Sequence, residues 1–346
     1  MMMNQCVKKI QRDSIIVDAH IDLLYDVEMQ RRKGNTKIIE TQYLPQFVEG
    51  GVNLVVSSIY INDMFIPEMA LRKALNQISA LHSEIDESPD KIMLCKDFED
   101  IDRVIEEGKI GIMLSFEGVA PLYNDLSLLR VFYELGVRFV GLTWSRRNFA
   151  ADGCKSLEVR EGTRGGLTEF GIKLVEASEA LGIIIDVSHM NDEGFSDIIK
   201  ISQKPIIASH SNTKALAKHP RNLTDEQIKS IASKGGVIGM NVASLFVAED
   251  SKNASIKHLL EHVDYIVNLV GIQHVGLGFD FCDRLFENVS VEFETSSSRS
   301  AFDVMKSHVE LDQFIDGLLK KGYSEADIEL ILGKNFLRIY KQVFRG

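Results

Sequence analysis

Cysteine is scarce in this chain. The four cysteines among 346 residues, Cys6, Cys95, Cys154 and Cys282, are scattered and form no CxxC pair. They are too sparse for a disulfide framework and wrongly spaced for a structural zinc site, so reduced thiols in a cytoplasm are the simplest expectation. Long apolar runs are missing too. Nothing approaches the roughly 18 consecutive apolar residues of a membrane span. The opening MMMNQCVKKIQRD turns polar and charged too soon to hold the apolar stretch of a signal peptide. Positive charge is in deficit: 39 basic against 50 acidic side chains give a formal net charge of -11. The short RRK at 31–33 and the Arg146-Arg147 pair read as surface or local contacts, and nucleic acid is not an expected partner. Several catalytic signatures are absent as well: no GxSxG elbow, HExxH, P-loop or kinase loop occurs, and no GxGxxG follows the first apolar run.

What is present is a repeat. Short apolar, β-branched runs recur as IIVDAHI at 15–21, VNLVVSSIYI at 52–61, GIMLSF at 111–116 and VRFVGLTW at 137–144. They continue as IIIDVSH at 183–189, PIIAS at 205–209, GVIGMNV at 236–242 and VGLGFDF at 275–281. Continuous rather than alternating runs suit strands buried on both faces of a parallel sheet. Between them, 67–86, 98–107, 124–135, 167–182 and 254–270 carry helical periodicity. Thr224 with Gln227, and Ser324 with Asp327, form capping-box patterns that open two further helices. Eight strands starting about 37 residues apart, alternating with helices, predict an α/β fold of the (β/α)8 TIM-barrel type with extended βα loops. An open doubly wound sheet is the alternative. No Pro- or Gly-rich linker divides the chain, so residues 1–346 are expected to form a single domain.

Barrel chemistry gathers where strands end, because the loops at that face build the site. The first run ends in His20-Ile21-Asp22, the third in Glu117, the fifth in His189, the sixth in His210 and the eighth in Asp280. Residues at i and i+2 on a strand share a face, so His20 and Asp22 can bind one cation together. Imidazole and carboxylate are the ligands of zinc and related divalent metals, and three His with two or three carboxylates suffice for two ions sharing a bridging carboxylate. A lone His in an apolar strand is more often a hydrogen-bonded core residue. Asp18 and Asp186 sit inside runs and read as interior polar groups with structural partners. His274 precedes the eighth run and belongs to the opposite face, while His82, His258, His262 and His308 fall on expected helices as surface or packing residues.

These residues lie where the chain resembles the membrane (renal) dipeptidase family, the two-zinc dipeptidases of the amidohydrolase-like barrels. The likeness runs through VDAHIDLLYD, GIMLSFEG, LTWSRRNFAADG, IDVSHMND, IIASHSNTKAL, HPRNLTDEQI, GLGFDF and GKNFLRIYKQV. The resemblance implies two zinc ions per chain, or another divalent metal, one held by His20 and Asp22, the other by His189 and His210, with Glu117 bridging. It implies that Arg221 grips the substrate's terminal carboxylate, bidentately. It also makes Asp280 the group that takes a proton from a water between the metals and passes it to the leaving amine. The implied reaction is hydrolysis of a dipeptide by a hydroxide bridging the two zinc ions.

One position departs from the animal members, which carry a His at the end of strand 4 that helps to polarise the scissile carbonyl. Trp144 stands there, with at most one indole N–H to offer, and Asn148 or Arg146 are the expected helpers. The secretory signal, lipid anchor and disulfides of those members are also not evident, which fits a cytoplasmic relative without a membrane partner. A homodimer, as in the family, is compatible with the long loops 61–68, 145–166 and 282–300, which are expected to shape the pocket. Two other readings remain: a binuclear-metal enzyme of the same barrel acting on N-acyl amino acids or lactones or as a deaminase, and a metal-containing binding protein without turnover.

Overall fold

In a computed structural model of the chain, which describes residues 2–154, 162–283 and 301–344, the apolar runs become parallel strands. Among the described residues these are β1 Ile16–Ile21, β2 Val52–Tyr60, β3 Ile92–Leu94, β4 Ile110–Glu117, β5 Val137–Gly141, β6 Ile184–Asp186, β7 Ile207–Ala208, β8 Val237–Met240 and β9 Val275–Leu277. The sheet runs β2-β1-β9-β8-β7-β6-β5-β4 and closes on itself through a seven-residue register between β2 and β4, from Leu54–Gly111 to Tyr60–Glu117. Eight strands thus form a closed barrel wrapped by helices, as the repeat predicts. No helix among the described residues is long and apolar enough to cross a membrane.

The ninth strand, β3, has no counterpart among the expected runs. It pairs with Ile110–Ile112 at the start of β4, before β5 takes over that edge at Leu114. Its apolar content is only the tripeptide IML, too short to signal a strand by pattern.

Several strands are also shorter than their apolar runs, and two buried carboxylates explain why. Asp186 ends β6, and its Oδ1 accepts the amides of Ser188 (2.9 Å) and Ser209 (3.0 Å). Asp18 in β1 accepts the amide of Phe279 (3.0 Å), just beyond β9. Side-chain acceptors replace ladder carbonyls at these points, so the chain leaves the sheet without stranding buried N–H groups. Both are the interior polar groups with structural partners that the sequence suggests.

The two faces of the barrel wall pack separately. Val17, Ala19, Leu54, Val56, Met113, Phe139, Ile184, Ile207 and Val237 share one buried cluster with Phe336, Ile339, Tyr340 and Val343 of the last helix, Asn335–Val343. Asn335 donates to the carbonyls of Ile272 and Val275 (2.8 Å each), so this helix covers the end at which β9 begins. Alternate residues such as Ile16, Val55, Ile112, Leu114, Val140, Ile185 and Ile238 pack in the larger cluster with the helical shell. Each such side chain contributes about 1.5–3 kcal/mol on full burial. Both capping boxes form as expected. The helix opened by Ser324 passes through a π turn, Leu330–Lys334, where a Cβ on Gly333 would lie 2.1 Å from the Ile15 carbonyl oxygen. That approach admits only glycine.

Candidate metal centre

With the floor sealed by the last helix, the open face is where the strands end, and there the residues singled out at the ends of the apolar runs converge. His20 is the fifth residue of β1 and Glu117 the last of β4; His189, His210 and Asp280 each follow the end of their strand by two or three residues. Asp22 differs from the simple i, i+2 picture. The strand stops at Ile21, its register slipping between Asp18 and Ile21, and Asp22 occupies the N-cap position of the helix Leu23–Arg32 with φ -82° and ψ 41°. A register slip of this kind re-aims side chains beside a site, and it still leaves Asp22 Oδ1 3.9 Å from His20 Nε2. His189 (φ 66°) and Asp280 (φ 56°) both lie in the left-handed region, a conformation that costs an L-residue roughly 1–2 kcal/mol and that clusters at functional sites.

Glu117 is the hub. Its Oε1 lies 2.9 Å from His189 Nε2 and 3.7 Å from both His20 Nε2 and His210 Nε2. Asp280 Oδ1 approaches His20 Nε2 to 3.7 Å, and the rings of His20 and His210 have centroids 3.7 Å apart. Two overlapping donor groups result, His20 with Glu117 and His210, and His20 with Asp22 and Asp280.

Outer contacts fix the donors. Ser58 donates to Asp22 Oδ1, and Asn241 Nδ2 donates to Asp280 Oδ2 at 2.8 Å. Ser209 Oγ donates to Asp186 and lies 2.7 Å from His210 Nδ1. A hydroxyl whose proton is committed to a carboxylate can only accept from the imidazole, so His210 carries its proton on Nδ1 and turns a lone pair on Nε2 into the cluster. Sequence reasoning passed over Ser58, Ser209 and Asn241. Ser209 and Asn241 lay in the runs themselves, as polar residues at or near their ends.

The electrostatics suit a cation. Burial, with the Arg221 charge second, holds His20 down to about 3 and His189 well below the ordinary imidazole range; for His210 burial leads and the neighbouring imidazole of His20 comes next. All three are therefore neutral, as ligands must be. Burial first, then the negative charges of Asp22 and Asp280 beside it, pushes the Glu117 carboxyl well above its usual range, and Asp280 is raised by burial and by Asp22. His20 Nε2, His210 Nε2 and Glu117 Oε2 are buried without a hydrogen-bond partner. Orphaned buried donors and acceptors each cost about 1–3 kcal/mol. Nitrogen and carboxylate oxygen converging in this way match the donor set of zinc and related divalent ions.

Arg221 lies beside the cluster, 5% exposed, with Nη2 donating to the His210 carbonyl (3.1 Å) and Nη1 to Ser211 Oγ (3.5 Å). Its Nε has no partner, and among the described residues no carboxylate pairs with it. Trp144 borders the cluster, its ring centroid 6.1 Å from that of His189. Asn148 is not brought to the cluster. Its amide donates to the Leu142 carbonyl (2.7 Å) and accepts from Ala150 and Ala151, bracing its own loop. Arg146 pairs with Asp63 and donates to the Ile61 carbonyl. His274 hydrogen-bonds the Gly236 carbonyl before β8. His262 accepts from the Thr213 amide and donates to the Val247 carbonyl, packing as expected. His308 sits in a short 3-10 turn rather than a longer helix, buried, with Nε2 2.7 Å from Asp18 Oδ2. Of the expected pocket loops, 155–161 and 284–300 lie outside the described residues.

Comparison with known proteins gives a consistent picture. Residues 4–345 match the family model described as Membrane dipeptidase (Peptidase family M19). The chain is 32% identical over 273 residues to "Uncharacterized protein in pqqA 5'region" of Klebsiella pneumoniae, covering 78% of this chain and 95% of that protein. It is 27% identical over 335 residues to "Dipeptidase tcpJ" of Claviceps purpurea, covering 92% and 73%. Among solved structures it is similar to the dipeptidase AC, a metallo peptidase of family M19, with TM-score 0.82 and 25% identity over 96% of this chain and 99% of that one. It also resembles a metallo peptidase from Rhodobacter sphaeroides liganded with a phosphinate mimic of the dipeptide L-Ala-D-Ala, with TM-score 0.83 and 24% identity over 96% and 100%.

Proposed function

The chain belongs to the membrane dipeptidase family, and from that premise we propose that it is a zinc-dependent dipeptidase whose two metal positions share Glu117. Family and relatives indicate a metallo-dipeptidase. The observation that carries the finer reading is the convergence of three partnerless buried ligand atoms, His20 Nε2, His210 Nε2 and Glu117 Oε2. On this reading His20 and Asp22 would hold one ion and His189 and His210 the other, with Glu117 as the carboxylate available to both. When bound, such a pair supplies a water ionised near neutral pH and an electrophile for the scissile carbonyl.

The chain's own groups do the rest. Arg221, a buried guanidinium with an unfilled Nε, receives the substrate's terminal carboxylate and so selects peptides whose free carboxylate lies one residue beyond the scissile bond. Asp280 collects the proton of the attacking water and delivers it to the departing nitrogen. Its Oδ2 is anchored by Asn241, which leaves Oδ1 facing His20 for that transfer. Burial raises the Asp280 carboxyl, the direction in which a proton carrier near neutral pH is tuned. Ser209 and Asp186 keep His210 in the tautomer that presents Nε2.

The test is metal content of the purified protein together with hydrolysis of a mixed L,L and L,D dipeptide panel, set beside N-acyl amino acids and lactones. About two zinc ions per chain with dipeptide cleavage lost on chelation supports the reading. Two metals with cleavage only of acyl amino acids or lactones moves the substrate class, and no tightly held metal after zinc supplementation refutes the centre.

A further inference from the structure

Resting on the dipeptidase reading, we propose that the indole of Trp144 is the platform for the side chain of the dipeptide's first residue, and that the enzyme favours a large apolar residue there. The geometry of the ring of strands leads to this. Arg221 enters from the connection after β7 and bonds the His210 carbonyl. In the closed order, β2 lies four strands from β7 in either direction, so Tyr60, the last residue of β2, stands diametrically across the mouth. A dipeptide with its carboxylate on Arg221 and its amide over Glu117 carries its first residue toward the β2–β4–β5 arc.

That arc is aromatic. Tyr25, Tyr60 and Trp144 pack together, with Met29 against them. Tyr25 and Tyr60 are 5% and 3% exposed, whereas Trp144 is only half buried, so Trp144 is the aromatic member that offers free surface. Its plane is held from several sides. The Tyr60 ring meets it edge-on, centroids 5.1 Å apart and planes at 65°, and the Arg146 guanidinium lies 5.7 Å from its centroid. Arg146 is in turn anchored by Asp63 and by the Ile61 carbonyl (2.9 Å), on the loop after β2. At the end of β4, Gly118 has φ +90°, and a Cβ there would lie 3.0 Å from the Trp144 amide nitrogen. A bare glycine therefore lets the tryptophan backbone sit against β4. An aromatic face of fixed orientation at the edge of a substrate site rewards apolar area and excludes little by charge.

The experiment measures kcat/KM of the zinc-loaded, full-length protein for Phe-Ala, Leu-Ala, Ala-Ala, Gly-Ala and Ala-Phe, in the wild type, Trp144→Ala and Trp144→Phe. The expected wild-type preference for Phe-Ala over Ala-Ala falls about tenfold in Trp144→Ala, the scale on which apolar pockets discriminate. Trp144→Phe keeps most of it, and the Ala-Phe to Ala-Ala ratio does not move. Because each result is a ratio within one preparation, loss of folded or metal-loaded enzyme cancels. Dipeptide cleavage with a first-residue preference unchanged in Trp144→Ala, or a change confined to the second residue, overturns the inference and leaves the dipeptidase reading standing. No cleavage of any dipeptide by the zinc-loaded wild type overturns both.

Discussion

Replacing Asp280 by Asn separates a proton carrier from a metal ligand. The structure makes the substitution conservative in every respect but charge. Position 280 has φ 56°, and Asn is among the few non-glycine residues that enter this region readily. The amide oxygen of Asn accepts the Asn241 Nδ2 hydrogen bond now made at 2.8 Å to Oδ2. The side-chain nitrogen then occupies the Oδ1 position, 3.7 Å from His20 Nε2, where it can neither accept the water's proton nor deliver it. General acid–base groups contribute roughly 10²–10⁴-fold, which corresponds to about 2.7–5.5 kcal/mol of transition-state stabilisation. Asp280→Asn should therefore lower kcat by that factor, with zinc stoichiometry and melting temperature near wild type, because His20, Asp22, Glu117, His189 and His210 are intact. The assay is steady-state hydrolysis of a good dipeptide paired with elemental analysis of the same sample. Activity within tenfold of wild type would sink the assigned role. A variant that loses one zinc along with activity refutes it differently, by making Asp280 a ligand in the group it forms with His20 and Asp22.

Other outcomes follow from the same geometry. Arg221→Met should raise KM for dipeptides by about 30-fold or more, since a lost buried charge contact costs 2–5 kcal/mol, while C-terminally amidated dipeptides, poor substrates already, change little; equal losses on both would contradict carboxylate recognition. Ser209→Ala removes the acceptor that sets the His210 tautomer and should weaken metal affinity about 10–100-fold with little change in fold, read by competition with a chelator. Arg31 pairs with Glu84, whose side chain is 1% exposed, and with Glu87; Arg31→Met strands that buried charge and should destabilise by about 3–5 kcal/mol in urea unfolding at pH 7. Arg31, by hydrogen bonding, also holds the Glu87 carboxyl down to about 2. Because that value is lowered on folding, its share of stability is present above about pH 4.3, the ordinary Glu value, and is lost as the pH falls toward 2. The gap between wild type and Arg31→Met should narrow over that window, and a constant gap would remove Glu87 from the account.

The barrel was legible because its strands are apolar on both faces, a pattern that survives without any alignment. All eight barrel strands coincide with apolar runs, whereas β3, three residues leaning on the edge of β4, owes its existence to a vacant stretch of that edge and to nothing in its own composition. The proposed ligand set was visible as polar residues ending apolar runs. Its fine structure was hidden for two reasons. The register slip that places Asp22 outside β1, and the left-handed backbone at His189 and Asp280, are decided by packing at the barrel rim, not by local residue type. The loop amide of Asn148 looked available in the sequence, but backbone groups of its own turn claim it. Asp18 and Asp186 read as interior polar groups, yet only the fold reveals that they end strands by standing in for ladder carbonyls.

The left-handed conformation at His189 and Asp280 bears on any attempt to engineer this barrel for durability. At those two positions glycine would relieve backbone strain of up to about 1–2 kcal/mol, less for Asp than for most residues, so a screen rewarding heat resistance alone would admit His189→Gly and Asp280→Gly. Each gain would remove a side chain of the proposed metal centre. On the dipeptidase reading such descendants would lose turnover as they gained stability, and a selection that keeps the chemistry must count turnovers as well as surviving protein.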